Sequence, residues 1–209
     1  MSNAARSYAW LFWGLAVLGF TVDQASKYGI FWHLYDEGRG GEIVIIPGAF
    51  KLIAQFSNKR ETNEGLMSRL RTLSGDILPR VNQGALFGLG SGDEDQNANQ
   101  LFALVSIAAA VAIIFWSTRP ASSRDRLLCM ALGLILAGTL GNLFDRVVFQ
   151  GVRDFLYWHY AVDWPVFNIA DCCLVCGAGL LLLQAFLAEA RPVTAAEQQV
   201  REPEMAQVK

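Results

Sequence analysis

The chain has 209 residues, of which 53% are hydrophobic and only 17% charged, with a mean hydropathy of +0.31. A soluble domain usually carries about 25% charged residues, so the deficit points to a single membrane domain rather than a soluble one. The net charge of −2 leaves no strongly basic surface for nucleic acid, and no Rossmann or P-loop glycine fingerprint is present.

The first apolar run, Ser7 to Val22, carries no charge. Arg6 precedes it, as in a secretory signal peptide, but no small-x-small cleavage pattern follows and the chain continues into Asp23, Gln24 and Lys27. It reads as a retained first span. Asp23 and Lys27 stand at i,i+4 with acid before base, the favourable order for a pair on one helix face. Next comes "GEIVIIPGAFKLIAQF", rich in β-branched and aromatic residues and interrupted by a Pro-Gly turn signal. It predicts a small extramembrane sheet. In "ETNEGLMSRLRTLSGD", Leu66, Leu70 and Leu73 recur at i, i+4 and i+7 with Met67 beside them. Thr62 or Asn63 is the expected start cap and Gly75 the stop. The segment is read either as a short amphipathic helix laying Arg69 and Arg71 on the outer leaflet, or as a tolerated surface insertion.

Three further apolar runs follow: Leu101 to Thr118, Leu127 to Phe144 and Cys172 to Ala188. Each falls somewhat short of the ~20 residues of a bilayer span and reaches that length by taking in polar flanks. Helices of a soluble bundle would show a polar stripe at 3.6 spacing; these are apolar all round. The expected fold class is therefore an all-α membrane protein with four transmembrane helices. The connection "STRPASSRDR" holds Arg119, Arg124 and Arg126 against Asp125, and short arginine-rich loops stay cytoplasmic. Both termini are then inside, and segments 34–98 and 149–166 outside. The outer 34–98 segment is also basic, but long loops translocate largely regardless of charge. Residues 1–190 form one membrane domain with an outer insertion at about 54–80. Residues 191–209 are polar and read as a disordered cytoplasmic tail.

This topology brings separate polar clusters to one depth near the outer face. Asp23 and Lys27 end span one; Asn142, Asp145 and Arg146 end span three; Asn168 and Asp171 open span four. Asp171 stands out because it lies inside "VFNIADCCLVCGAGLLLLQAFLA" with no basic neighbour in sequence. A carboxylate at mid-bilayer costs about 2.5–3.5 kcal/mol on insertion scales, and its default reading is functional. A second carboxylate must come from the outer loop or its edge. Asp154, in the apolar setting "VRDFLYW", and Asp145 rank close together; Asp163, beside Trp164 and Pro165, ranks last. Two carboxyls close together in low dielectric share a proton. The ionised member takes a proton from water and the neutral one donates to a carbonyl oxygen, which hydrolyses a peptide without metal or covalent intermediate. Asn82, Asn142 and Asn168 would hold a substrate backbone without adding charge.

A transporter would set its ionisable groups along a path, yet spans two and four show none in their lower halves. A scaffold whose carboxylates only tie helices together remains the other alternative. Cys172, Cys173 and Cys176 include a C-x-x-C spacing, but a zinc site needs four ligands; packing inside span four is the better account. His33 and His159 are isolated. Trp32, Trp158 and Trp164 suit an interface belt.

The pieces "VDQASK", "NQGALFG", "GNLFDR", "GVRDF" and "FNIAD" occur in that order between Tyr8 and about Ala188. Together they closely resemble the lipoprotein signal peptidases, the signal peptidase II family of bacterial membrane aspartyl proteases. The resemblance implies Asp154 and Asp171 as the catalytic pair and Asn82, Asn142, Arg146 and Asn168 as substrate-site residues. It leaves Asp23, Lys27 and Asp145 in supporting roles. It implies removal of the signal peptide from diacylglyceryl-modified prolipoproteins, cutting on the N-terminal side of the lipidated cysteine. It further implies sensitivity to globomycin-like cyclic peptides and a multi-pass location in the bacterial inner membrane. The protein is expected to be monomeric, to use no cofactor or metal, and to have membrane lipid but no nucleic acid as a partner. Two features depart from the family: the insertion, about Gln55 to Arg80, and a cation, Arg153, directly before the loop aspartate. Arg153 is expected to point to solvent or headgroups.

Overall fold

The computed structural model of the chain describes residues 7–84 and 93–189. Arg6, the "ALFG" half of the asparagine motif and the 191–209 tail lie outside the described residues. Four long helices, α1 (Ala9–His33), α3 (Asp93–Ser117), α5 (Arg126–Phe149) and α6 (Ile169–Glu189), are accompanied by short α2 (Leu66–Arg71) and α4 (Pro120–Ser123). Among the described residues, three helical segments are long and apolar enough to cross a membrane: Asn97–Ser117, Arg126–Phe149 and Ile169–Leu187. The 25-residue α1 stands apart from these because its second half takes in Asp23, Gln24, Lys27 and His33.

The helix α5 is central and packs on α1, α3 and α6. Leu104, Val111 and Phe115 of α3 and Val175, Leu182 and Phe186 of α6 are exposed, as are Val17 and Leu18 of α1. Apolar surface of that extent is not stable in water; it suits lipid. Small residues let the helices approach. A Cβ on Gly138 of α5 would run into the Ala170 carbonyl of α6 and lie 2.7 Å from Leu174 Cγ. Close backbone approach at small residues is the usual membrane packing device. At the opposite end of this pair, Asp125 caps α5 by accepting the Leu128 amide (3.0 Å) and the Gln184 amide of α6 (3.1 Å).

Among the described residues, the segments between α1 and α3 and between α5 and α6 form two antiparallel sheets. Strands β1 (Gly41–Ile46) and β2 (Phe50–Ala54) arise from the β-branched stretch as expected. The loop between α5 and α6 adds β5 (Leu156–Trp158), giving the order β1-β2-β5, with Leu52 opposite Leu156. The insertion folds as β3 (Phe56–Arg60) paired with β4 (Ile77–Pro79), with α2 between them. The apolar spacing located α2 correctly, but its start cap is Gly65, not Thr62 or Asn63. The Asn63 carbonyl instead accepts the Ser68 hydroxyl at 2.6 Å. A short 3-10 turn ends the helix, closed by Gly75 at φ 132°.

Gly138→Leu would force α5 and α6 apart. Overpacking of this kind costs about 1–3 kcal/mol, so thermal unfolding in detergent should show a clearly lowered melting temperature. An unchanged value would mean that the two helices do not depend on this contact.

Candidate active site

Four charged side chains, Asp23, Lys27, Asp145 and Arg153, are fully buried where α1, α5 and the following loop meet. Lys27 Nζ lies 2.9 Å from Asp23 and 3.5 Å from Asp145. Arg153 grips Asp145 with both sides of its fork, Nε to Oδ2 at 3.2 Å and Nη2 to Oδ1 at 2.9 Å; its own backbone N–H adds a third bond at 2.9 Å. Gln24 bridges the cluster, donating to Asp23 (2.9 Å) and Asp145 (3.2 Å) while accepting from Arg153 (3.0 Å). Asp23 also accepts the Ala170 amide at 2.8 Å, which ties in α6. The guanidinium of Arg153 lies 4.2 Å from the Tyr28 ring and 3.8 Å from the Phe149 ring. The expectation that Arg153 points to solvent is overturned. A cation next to Asp154 in sequence finds a better anion in Asp145, and two aromatic faces replace its water.

Beside this cluster lies a layer of neutral amides. Asn168 is the N-cap of α6 and Asp171 its third residue. Each accepts the other's backbone N–H at 3.1 Å, a reciprocal capping arrangement. Asn142 Nδ2 donates to the other oxygen of Asp171 at 2.8 Å. Asn142 Oδ1 accepts from Lys27 (3.3 Å) and from Asn168 Nδ2 (3.2 Å). The same Asn168 nitrogen donates to Asp154 Oδ1 at 2.7 Å, and Asn82 Nδ2 donates to Oδ2 at 3.2 Å. One asparagine side chain thus touches both half-buried aspartates.

Asp154 is placed by backbone pairing on both sides. Val152 and Asn82 exchange amide hydrogen bonds of 2.8 and 2.7 Å, and Phe155 and Leu156 pair with Phe167. Gly151 permits the first pairing, since a Cβ there would lie 2.6 Å from Val81 Cγ2 and 3.0 Å from the Asn82 carbonyl. Burial pushes the Asp154 carboxyl up from 3.8 to about 6; the nearby charge of Asp171 adds to this, while the donors Asn168 and Asn82 and the charge of Lys27 oppose it.

Of the residues singled out in the sequence, Asp154, Asp171, Asn82, Asn142 and Asn168 come together in one hydrogen-bonded group. Arg146 lies beside them. Its guanidinium is 5.4 Å from the Phe102 ring, its buried Nε has no hydrogen-bond partner among the described residues, and its charge acts on Asp171 and Asp154. Asp145 is separated from the group by its full set of ionic partners. Asp163 is exposed and bonded to the Tyr157 hydroxyl. Gln24 was missed; its signal was an amide inside an apolar helix. Cys129, Cys172, Cys173 and Cys176 are free thiols, and no group of three or more potential metal ligands occurs among the described residues.

The family described as signal peptidase (SPase) II matches residues 15–187. A lipoprotein signal peptidase of Rhodopirellula baltica is 36% identical over 195 residues, covering 87% of this chain and 74% of that protein. One from Cellvibrio japonicus is 39% identical over 188 residues, with 90% and 92% covered. One from Pseudomonas fluorescens is 31% identical over 192 residues, with 89% and 94% covered. A solved bacterial membrane enzyme shares the fold, with a TM-score of 0.62 at 24% identity over 86% of this chain and 92% of that one.

Asp145→Ala would strand Lys27 and Arg153 as buried cations. Breaking a buried pair in this way costs about 3–5 kcal/mol, so unfolding in detergent should move far below the wild type, while Asp163→Ala should leave it in place. Equal stability of the two variants would remove the structural role assigned to the cluster.

Proposed function

The chain belongs to the signal peptidase II family and is a multi-pass membrane peptidase; on that footing we propose that it is an aspartyl endopeptidase acting through Asp154 and Asp171. The substrate would be a prolipoprotein whose cysteine carries a diacylglyceryl group, cut on the N-terminal side of that cysteine. The observation that supports this reading best is Asn168, which donates to Asp154 and exchanges backbone bonds with Asp171. A pair joined in this way can share one proton.

In this mechanism Asp154, with its raised pKa, holds the proton. Asp171, which accepts two N–H donors, is the base. A water between them loses a proton to Asp171 and attacks the scissile carbonyl carbon, while Asp154 protonates the carbonyl oxygen. The tetrahedral intermediate then returns its hydroxyl proton to Asp154. Asp171 gives its proton to the leaving nitrogen as the C–N bond breaks. Asn82, Asn142, Asn168 and Arg146, whose Nε has no partner among the described residues, hold the substrate backbone. Asp23, Lys27 and Asp145 support the site from beneath. Globomycin-like cyclic peptides would occupy the same place.

The same reading makes α1 a fourth span, places both termini in the cytoplasm and sets the pair near the outer face of the inner membrane. Residues 1–190 then act as one monomeric domain, with the 54–80 insertion outside and the 191–209 tail inside. The exposed helix faces meet lipid, so the acyl chains of the substrate never leave the bilayer.

Asp154→Asn and Asp171→Asn should each lower cleavage of a diacylglyceryl-modified prolipoprotein by about 10²–10⁴-fold, the usual worth of acid–base catalysis, with EDTA present throughout. An active Asp154→Asn enzyme would sink the assignment.

The pH profile gives a second check. The kcat/KM of the free enzyme should fall above about pH 6, as the pair loses the proton held at Asp154. Asn82→Ala removes a donor to the ionised form, so that limb should move to higher pH. Stability carries the opposite sign from an ordinary ion-paired carboxylate. The folded state keeps this proton up to about 6 and the unfolded chain only up to 3.8, so stability should fall as pH rises between them.

A further inference from the structure

We infer that the inserted segment around α2 is a brace that holds Asp154 in place through Arg71, Tyr28 and Arg153. This rests on Asp154 being one of the reacting carboxylates. The contacts run without a break. Arg71 donates through Nε to the Val148 carbonyl and through Nη1 to Glu61 at 3.1 Å. Val148 lies in the last turn of α5, whose carbonyls lack helical partners and favour a cation. The neighbouring Leu70 carbonyl accepts the Tyr28 hydroxyl at 3.1 Å, and Ser74, in the turn that ends α2, donates to the Tyr28 carbonyl at 3.5 Å.

One short element thus fixes Tyr28 itself and the residue before Phe149. Those two rings lie against the Arg153 guanidinium. Its Nη1 is buried without a hydrogen-bond partner among the described residues, and the two aromatic faces pack against that side of the fork. Arg153 precedes Asp154 directly, and its backbone N–H is bonded to Asp145. Any slack in the rings becomes slack in the backbone that carries Asp154. Arg71 and Tyr28 act here as positioning residues: neither is bonded to Asp154 or Asp171.

The test is a set of kinetic measurements on the purified full chain with a diacylglyceryl-modified prolipoprotein. A misplacement of about 1 Å costs roughly 10²-fold; Arg71→Ala should lower kcat by about tenfold and leave KM unchanged. Arg71→Lys should recover part of the loss. Tyr28→Phe, which keeps the ring and loses the hydroxyl that bonds Leu70, should show a smaller fall in kcat. Arg69→Ala, on the exposed side of α2, should match wild type. Arg71→Ala added to Tyr28→Phe should cost less than the two separate losses combined, because both act through one contact chain. Additive losses, a change confined to KM, or wild-type kcat in Arg71→Ala would overturn the brace. Asp154→Asn run beside them separates the two claims: if it is inactive while Arg71→Ala is normal, only the brace falls, and if it is active, the aspartyl reading falls first.

Discussion

Everything at this site rests on a balanced set of charges buried out of reach of bulk solvent. Asp23 and Asp145 face Lys27 and Arg153, two anions against two cations, all fully buried. An unpaired member would carry a desolvation penalty of several kcal/mol. The four come from different parts of the chain, and the Ala170 amide adds a donor from α6. Helices α1, α5 and α6 therefore satisfy the set in one mutual register. A slip of one turn would leave a buried charge unpaired. That register is also what brings Asn142, Asn168 and the loop carrying Asp154 together.

The chemistry is set apart from this foundation by neutral amides, whose orientations are fixed by what surrounds them. Asn142 turns its oxygen to Lys27 and to Asn168 Nδ2, two groups that can only donate, so its nitrogen must face Asp171. Asn168 turns its nitrogen to Asp154 and its oxygen to the Asp171 amide. The influence of Lys27 passes to Asp171 through an amide rather than by direct contact. An ammonium bonded to either aspartate would hold it ionised and spoil the sharing of one proton. The proposed pair can be close to a strong cation and still exchange a proton because the amides stand between.

Local spacing made much of this legible. The Asp23–Lys27 pair and the i,i+3 relation of Asn168 to Asp171 follow from helix geometry and formed as spaced, whereas of Leu66, Leu70 and Leu73 only the first two fall in α2 and the third in the 3-10 turn after it. The asparagines could be named as a set because amides in apolar settings have few other uses. What was not legible depends on partners far away in the chain. Arg153 reads as a surface cation because, turned inward beside Asp154, it would favour that carboxylate's ionised form. Its true partners are Asp145 and Gln24, and its packing comes from Tyr28 and Phe149. For the same reason residue types alone left Asp145 and Asp154 tied. They separate once one has every oxygen taken by charged or amide donors and the other has only neutral amides.

The two aspartates of the proposed pair face different mechanical problems, and the architecture treats them differently. Asp171 belongs to the first turn of a long helix, where the capping exchange with Asn168 holds its backbone and side chain at once. Asp154 follows the end of α5 and has no helix under it. Its stretch of chain is held at Val152 by Asn82, at Phe155 and Leu156 by Phe167, and at Arg153 by the buried fork. The first two anchors are backbone ladders, which fix the path of the chain but leave the twist between them open. Arg153 fixes that twist, and its own seat is made of two rings from separate helices. The inserted segment bonds Tyr28 and the carbonyl of the residue before Phe149, on the side where the chain has no helix to do the holding.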